Sequence, residues 1–313
     1  MVKSKSIFVP HISDRLMKFF EQYQYVIDKM FSIVKLQKSN IVDSYYYSKK
    51  NPPKNPNYKY TEKLYIGCIF YVLKHNNSWE SFIGPIPGKQ LNKRHNEYCK
   101  NNIYRNFYKK CLKKYLKTKK IKYLSIDATI CNNKNNQELV THLPINKNRR
   151  GGKISTIVDD IGSPIVQPII GDCTKGDSIL AIENINELVN NKLIINSFNK
   201  TDGNIYLLGD SGYDSSFVKS LLIENDIKPI IMPNNRNRGK GKHQNANKVI
   251  RKKKRLSKPN RIKYKKRKII ENFFAILKRY TKINCVYERT ICSYEGLVLF
   301  VFGSTLLTRS CVS

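Results

Sequence analysis

Residues 204–213 read NIYLLGDSGY, a short apolar run that ends in an acidic residue and a turn containing glycine. Such a run predicts a buried strand, with Asp210 directly after its apolar part. A second run of strand type, residues 122–130 (KYLSIDATI), places Asp127 among apolar neighbours. A carboxylate in such surroundings is costly to bury unless it is paired, hydrogen-bonded or bound to a metal. Both predicted strands therefore carry an acidic residue that is a candidate for chemistry.

The segments around these two runs predict a mixed α/β domain. Residues 153–158 and 164–170 have strand character and flank a turn at residues 159–162, which predicts a hairpin. A helix, the strand that leads to Asp210, a second helix and a further strand follow (residues 177–189, 204–208, 215–224 and 228–232). Strands and helices in this order build a mixed sheet flanked by helices.

The residues that precede the α/β region have helical periodicity. Apolar residues recur at helical spacing in residues 14–27, 61–74 and 102–116, and a proline-containing linker is predicted at residues 48–57. The pattern predicts a small all-helical domain of residues 1–118, followed by the α/β domain of residues 119–313. Short helices rich in Lys and Tyr are typical both of DNA-binding bundles and of packing domains, so both interpretations stay open.

Charge narrows the range of partners. The chain carries 58 Lys and Arg against 23 Asp and Glu, a net charge of +35 over 313 residues. Hydrophobic residues make up 40% of the chain, which is enough to build cores and argues against wholesale disorder. A surface this positive favours a polyanion as partner, and nucleic acid is the usual one inside cells. Overuse of Lys in an A/T-rich genome would give a similar composition, and only clustering separates the two explanations.

The cations are strongly clustered. Of the 33 residues from 236 to 268, 17 are Lys or Arg and none is Asp or Glu. We predict a basic loop near residues 234–263 that contacts DNA phosphates. At its centre is a run of five cations that we expect to contact DNA and that would also serve as a nuclear localisation signal: Arg251, Lys252, Lys253, Lys254 and Arg255.

Several classes of protein are excluded at this stage. The eight cysteines contain no Cys-x-x-Cys pair and no zinc-finger spacing, so we interpret them as reduced thiols of an intracellular protein. The N-terminus lacks the apolar block of a signal peptide. The most apolar stretch, residues 296–307, is too short to span a bilayer and is expected to be a core helix. We therefore expect a soluble protein with no membrane partner.

A third acidic residue, Glu271, lies in a helix predicted for residues 264–280, between isoleucines and a pair of phenylalanines. If the two acidic strands are neighbours and this helix crosses them, Asp127, Asp210 and Glu271 converge. Carboxylate oxygens of this kind suit Mg²⁺ or Mn²⁺, and two such ions can clamp the attacking and leaving oxygens of a phosphoryl transfer. Taken singly, each of the three residues is more often a turn former, a helix cap or a surface partner.

The late helix carries a longer pattern, in which Tyr264, Arg267, Glu271 and Lys278 are spaced by three, four and seven residues. This resembles the Tyr-Arg-Glu-Lys signature of bacterial DDE transposases of the insertion-sequence four and five groups. The residues 210–213 are similar to the second-aspartate motif of these enzymes, and the residues 127–129 are similar to the first.

The resemblance implies a fold, an activity and a set of site residues. The fold is a ribonuclease H-like mixed sheet, and the activity is cleavage of DNA at transposon ends followed by joining to target DNA. The implied cofactors are two Mg²⁺ (or Mn²⁺) ions, and the implied assembly is a homodimer on double-stranded DNA. The implied catalytic residues and metal ligands are Asp127, Asp210 and Glu271. The residues implied to hold the phosphates of the DNA end are Tyr264, Arg267 and Lys278. Arg267 lies four residues before Glu271 and Lys278 lies seven after it, so both cations would lie near the same helix face as Glu271.

Some positions depart from the pattern, and the function keeps alternatives. Ser155 stands where these enzymes commonly have His, and Ser211 stands where a basic residue is frequent. Asp177 is interpreted as the cap of its helix or as support for the metal ligands. A DNA-binding descendant that has lost cleavage, and a plain metal-dependent nuclease on the same core, are the alternatives to an active transposase. The host compartment stays open between a bacterial cytoplasm, a nucleus and a viral replication site.

Overall fold

The computed structural model describes residues 13–37, 60–75, 78–142, 150–198, 203–234 and 255–310. They belong to two compact units. The first unit draws on residues 1–111, 132–138 and 277–312, and the second draws on residues 112–131 and 139–276. The expected domain boundary between residues 118 and 119 stays a prediction, and the linker expected at residues 48–57 lies outside the described residues.

The first unit is built mainly from helices. They are α1 (Asp14–Gln37), α2 (Glu62–His75), α3 (Gly88–Lys100), the larger part of α4 (Ile103–Leu116), α10 (Thr281–Asn284) and α11 (Ile291–Ser310). Phe70 of α2 lies at the centre of an aromatic core, with its ring 5.5 Å from that of Phe19 and 4.8 Å from that of Phe300 between centroids. Aromatic burial of this kind dominates the energetics of a core. The core therefore joins helices from both ends of the chain.

Helix α11 has the length of a membrane-spanning segment. At 20 residues it extends beyond the apolar stretch of residues 296–307 on both sides, so the expectation that it is too short to span was wrong. However, 72% of its most apolar window is buried inside the structure. Burial of this kind agrees with the predicted core helix.

The second unit holds a mixed sheet. Its strands are β1 (Tyr123–Asn133), β2 (Gly151–Val158), β3 (Ile169–Asp172), β4 (Ile205–Gly209) and β5 (Ile227–Ile231), in the spatial order β3-β2-β1-β4-β5. Strand β4 is parallel to both β1 and β5, whereas β3 is antiparallel to β2. A short strand, β6 (Cys285–Val286), pairs with residues 132 and 133 of β1, and both of these segments belong to the first unit. The expected mixed α/β class, a mixed sheet flanked by helices, is confirmed.

The helices of the second unit are α5 (Asp177–Asn190), α6 (Lys192–Phe198), α7 (Ser216–Ile223), α8 (Lys258–Tyr264) and α9 (Lys268–Leu277). Helix α5 packs against β2 and β3, and it buries Leu180, Ile185 and Leu188. These residues recur at helical spacing, which is why the periodicity of this segment predicted the helix correctly.

Three local predictions differ from the structure. The second strand of the hairpin was expected at residues 164–170, but β3 begins at Ile169 because Pro164 and Pro168 lack the N–H that a ladder needs. Part of the expected basic loop is helical, since α8 begins at Lys258, where Pro259 suits the first turn of a helix. The expected helix of residues 264–280 is divided by a 3₁₀ turn, Lys265–Arg267, and ends at Leu277.

Candidate active site

The two aspartates lie on neighbouring parallel strands. Strand β1 pairs with β4 so that Tyr123 lies opposite Tyr206 and Ser125 lies opposite Leu208. The paired part ends two residues before Asp127 on β1 and two residues before Asp210, which directly follows β4, and the charge of Asp210 acts on Asp127. Neighbouring strands in register point equivalent side chains to the same side of the sheet. The pairing of β1 with β4 therefore brings together the two acids that the sequence had singled out.

Each of these carboxylates is oriented by one backbone amide. The N–H of Ala128 donates to Oδ1 of Asp127 at 2.9 Å, and the N–H of Gly212 donates to Oδ1 of Asp210 at 2.8 Å. Burial raises the pKa of Asp127, and the negative charge of Asp210 raises it further, although the Ala128 amide and the Arg267 guanidinium act in the opposite direction. The raised pKa means that the favourable contacts of Asp127 do not fully offset its burial.

Arg267 links the first aspartate to the glutamate. It donates to Oδ2 of Asp127 at 2.8 Å and to Oε1 of Glu271, in the first turn of α9, at 2.5 Å. Burial works against its charge, but the nearby acidic groups outweigh this effect, so the pKa of Arg267 is raised. The side chain that the resemblance assigned to DNA phosphates thus lies between two carboxylates in this structure.

A third aspartate, Asp177, flanks the second-aspartate turn. A Cβ added to Gly212 would lie 2.9 Å from Oδ2 of Asp177 and 3.1 Å from Oδ1 of Asp210, so these two carboxylates close in on Gly212 from both sides. Asp177 is the first residue of α5, where no side chain caps the helix, and it accepts a hydrogen bond from Lys153 Nζ at 2.9 Å. The expectation that Asp177 caps its helix was wrong. We call the residues Asp127, Asp177, Asp210, Tyr213, Arg267 and Glu271 the aspartate site.

The aspartate site fits a divalent cation in part. Asp127 and Asp210 offer hard carboxylate oxygens, the ligand type that Mg²⁺ and Mn²⁺ prefer. In the part of the chain that the structure describes, no group of three or more His, Cys, Asp or Glu side chains is arranged to hold a metal ion. Arg267 bonds both Asp127 and Glu271, and the expected set of three carboxylate ligands stays a prediction. The two aspartates fit such an ion, whereas Glu271 would first have to exchange its guanidinium partner.

The remaining predicted DNA contacts are placed differently. Tyr264 ends α8 with its ring 5.9 Å from the guanidinium of Arg267, and burial is the main cause that raises the pKa of its phenol. Lys278 follows the end of α9 and belongs to the first unit. Arg255 is exposed. The other members of the basic run lie outside the described residues: Arg251, Lys252, Lys253 and Lys254.

Sequence reasoning missed two features of the second unit. Tyr213, three residues after Asp210, is fully buried and lies among the aspartates. Lys263 and Lys266 each lie 3.9 Å over a tyrosine ring, and these two rings, from Tyr206 and Tyr123, stack on each other with centroids 5.6 Å apart. The i, i+3 spacing of the two lysines was the only available signal, and it is common in a chain so rich in Lys.

The first unit contains a second group of charged side chains. Glu288 accepts hydrogen bonds from Lys282 at 2.6 Å, from the indole of Trp79 at 3.1 Å and from Ser293 at 2.9 Å. His95 contacts the same Ser293 hydroxyl at 2.8 Å. A cavity of about 540 Å³ lies beside this group, and Trp79, Lys282, Glu288 and Ser293 are among the residues that line it. We call these five residues the Glu288 cluster.

The order of the sheet and the aspartates at its two neighbouring parallel strands β1 and β4 define a mixed α/β protein with a carboxylate site. A sequence model of the family described as "Transposase DDE domain" matches residues 118–291, more than half of the chain. The chain belongs to this family, and its function is that of a transposase. Proteins of the family generally use divalent metal ions.

Two further comparisons add little to this assignment. Among solved structures, the chain is similar to a cryo-EM structure of a piggyBac transposase synaptic complex with hairpin DNA, at 9% identity and a TM-score of 0.48, over 97% of this chain and 78% of that one. A likeness at this score is too weak to support an argument about mechanism. No match was found among curated proteins.

Proposed function

We propose that the chain cuts phosphodiester bonds at the ends of a DNA element and joins the freed 3′ ends to target DNA. The observation that supports this most directly is the parallel pairing of β1 with β4, which ends two residues before Asp127 on one strand and two residues before Asp210 on the other. The assignment to the insertion-sequence four and five groups belongs to the same proposal, since it rests on the spacing of Tyr264, Arg267, Glu271 and Lys278.

Both proposed steps are in-line displacements at phosphorus. In the first, a water oxygen forms a bond to phosphorus, the bond to the 3′ oxygen breaks, and a 3′-OH and a 5′-phosphate result. In the second, that 3′ oxygen bonds to a target phosphorus and displaces the target's own 3′ oxygen. Two divalent cations, held by Asp127, Asp210 and Glu271, would activate the attacking oxygen and stabilise the departing one.

The protein groups contribute position and charge. Asp127 and Asp210 hold their carboxylates in place through the Ala128 and Gly212 amides. Arg267 neutralises Asp127 and Glu271, and its planar guanidinium also matches a phosphate in geometry. We propose that a DNA phosphate draws Arg267 away from these carboxylates, which frees Glu271 to complete the metal site.

The experiment that tests the cleavage proposal is Asp210→Asn. With a plasmid that carries the gene and its flanking DNA as substrate, Mg²⁺-dependent cleavage should be lost while DNA affinity stays close to normal. The matched control is Asp226→Asn, because Asp226 is exposed and has φ +58°, a conformation that Asn adopts readily. Cleavage that survives in Asp210→Asn would exclude this metal site.

One observation favours a second candidate, a DNA-binding descendant without cleavage. Arg267 is bonded to both Asp127 and Glu271, so two of the three proposed ligands already have a cationic partner. The wild-type protein separates the candidates: binding without Mg²⁺-dependent cleavage supports the second. Cleavage without products in which a 3′ end is joined to new DNA supports a plain nuclease instead.

We propose that double-stranded DNA is held by the basic segments. Neutralising Arg251, Lys252, Lys253, Lys254 and Arg255 together should weaken binding to any DNA and flatten its dependence on salt, because each lost phosphate contact reduces the logarithmic slope by roughly 0.9. An unchanged slope would mean that the run does not contact phosphate. Lys278→Ala should impair end cleavage more than general affinity. A homodimer formed on DNA and an intracellular site of action belong to the same proposal.

A further inference from the structure

Tyr213 has a buried hydroxyl without a partner. The residue ends the 3₁₀ turn that follows Asp210, and its side chain is 0% exposed. Among the described residues, its hydroxyl has no hydrogen-bond partner. An unpaired hydroxyl in the interior is destabilising, and native proteins leave few of them.

Other buried tyrosines among the residues that the structure describes have a partner for the hydroxyl. In the same unit, Tyr115 donates its hydroxyl hydrogen to Asp159 and accepts a hydrogen bond from Ser163 at 3.0 Å. In the first unit, Tyr294 donates to the carbonyl oxygen of Ile283 at 2.6 Å. Where the fold requires a buried tyrosine, it therefore supplies a partner for the oxygen. At position 213 a phenylalanine would pack as well, so packing alone does not explain the hydroxyl.

The surroundings of Tyr213 are acidic. Its ring packs on the backbone at Gly209, where an added Cβ would lie 3.3 Å from Tyr213 Cβ. Burial is the main cause that raises the pKa of its phenol, and the negative charges of Asp127, Asp177 and Asp210 raise it further. The hydroxyl is therefore close enough to all three carboxylates to feel their charge, although none of them accepts its hydrogen.

We infer that the Tyr213 hydroxyl is a positioning group for a hydrated divalent cation held between Asp127 and Asp210, and that it donates its hydrogen bond to a water of that ion. This inference rests on the proposed function. Mg²⁺ and Mn²⁺ sites that have only a few carboxylate ligands keep several of the ion's waters, which are oriented by neighbouring polar groups. Tyr213 is the only described residue at the aspartate site that holds a hydroxyl with no other partner.

The test is Tyr213→Phe in the full chain without DNA, measured in two ways. In EDTA, the melting temperature should equal or exceed that of the wild type, because an unpaired polar group has been removed. In a calorimetric titration with Mn²⁺ alone, the affinity should fall roughly three- to tenfold, the loss expected for one hydrogen bond. The matched control is Tyr115→Phe, which should lower the melting temperature by several degrees and leave the Mn²⁺ affinity unchanged.

The melting temperature and the Mn²⁺ affinity of Tyr213→Phe can each overturn the inference. A melting temperature that falls in Tyr213→Phe, or a chain that no longer folds, would reveal a structural partner and overturn the inference. Unchanged Mn²⁺ affinity would overturn it as well, provided that Asp210→Asn weakens the same titration. If Asp210→Asn also leaves Mn²⁺ binding unchanged, the failure lies with the proposed metal site and not with Tyr213 alone.

Discussion

The aspartate site and the Glu288 cluster use the same kinds of side chain in opposite ways. In the Glu288 cluster, one carboxylate is bonded by an ammonium, an indole and a hydroxyl, and its charge is balanced by Lys282. In the aspartate site, four carboxylates have two cationic partners, Arg267 and Lys153, and a hydroxyl has no partner. A fold tolerates buried charges that are fully paired, whereas charges left under-paired indicate a site that binds something.

The pKa values of the two regions express the same contrast. Burial alone would raise the pKa of Glu288, but its interactions with His95 and Lys282 and its hydrogen bonds from Lys282 and Ser293 outweigh this effect and lower it. Burial also dominates at Asp127, where the pKa stays raised because the neighbouring Asp210 adds a like charge. The fold thus favours the charged form of Glu288 and disfavours that of Asp127.

The largest effect should come from breaking the Glu288 cluster. Glu288→Ala leaves Lys282, which is 1% exposed, without its acceptor, and an unpaired buried charge costs about 3–5 kcal/mol. Urea denaturation should reveal a loss of this size, whereas Asp210→Asn should not lower stability. Removing both partners, Lys282→Met with Glu288→Leu, should restore a large part of the loss. Equal losses in Glu288→Ala and Asp210→Asn would end the distinction between the two regions.

Acid should weaken the Glu288 cluster through His95. This side chain is fully buried beside Lys282, Glu288, Tyr104 and Ser293, and burial lowers its pKa from 6.5 to about 4. The unfolded chain takes up the proton near pH 6.5 but the folded chain does not, so stability is present above pH 6.5 and is lost as the pH falls toward 4. The loss is at most about 3 kcal/mol.

Chemical denaturation between pH 4.5 and 7 would measure how the free energy of unfolding changes with pH. Glu288 contributes little to this change in that range, because the range lies above the ordinary pKa of a glutamate. The variant His95→Gln keeps polar atoms but does not titrate, and its stability should be flat over the same range. A slope that persists in His95→Gln would assign the acid sensitivity to another group.

Arg267→Gln tests the aspartate site in the same way, by removing a cationic partner from its carboxylates. Removing the guanidinium frees oxygens of Asp127 and Glu271, so Mn²⁺ affinity should rise several-fold while stability falls by about 1 kcal/mol. The exposed neighbour Lys268 supplies a control with the same change of charge, Lys268→Gln. Calorimetric titration with Mn²⁺ is the measurement, and equal affinities for both variants would mean that Arg267 does not compete with the cation.

The smallest effect on stability is expected from Gly212→Ala. Its added methyl group would meet the ends of Asp177 and Asp210, which can move aside at a cost of about 1 kcal/mol or less. The carboxylates would then be displaced, and cleavage should slow several-fold. At Gly176 the nearest side-chain atom to an added Cβ is 3.9 Å away, so Gly176→Ala should leave cleavage unchanged. Equal rates in the two variants would contradict the role assigned to this close approach.

Local sequence pattern was sufficient for one part of the site. The strand-type runs correctly predicted that Asp127 lies in a strand and that Asp210 follows one. A central strand is buried on both faces and therefore consists of consecutive apolar residues, which are easy to recognise in a sequence. Helix α3 was missed, since its three buried residues, Leu91, His95 and Tyr98, give a weak apolar signal. The position of β3 was missed because proline displaced the pairing.

Side-chain pairings between residues far apart in the chain could not be predicted from the sequence. The pairing of Arg267 with Asp127 joins residues 140 positions apart, and the bond between Trp79 and Glu288 spans 209. Neither pairing follows from periodicity or spacing, because nothing local distinguishes an ion-paired arginine from a solvated one in a chain with 58 cations. The resemblance singled out Arg267 as a site residue, but only the structure reveals that its partners are carboxylates.

The origin of the first unit from both ends of the chain has a consequence for synthesis on the ribosome. Phe300 of α11 contacts Phe70 of α2, so the N-terminal helices emerge more than two hundred residues before their core partner. The sheet of the second unit can fold before α11 has been synthesised, while the N-terminal helices still lack their core partner. A copy whose translation stops before residue 291 would lack α11 and leave the aromatic core of α2 uncovered. The apolar surface exposed in such a fragment would make it prone to aggregate.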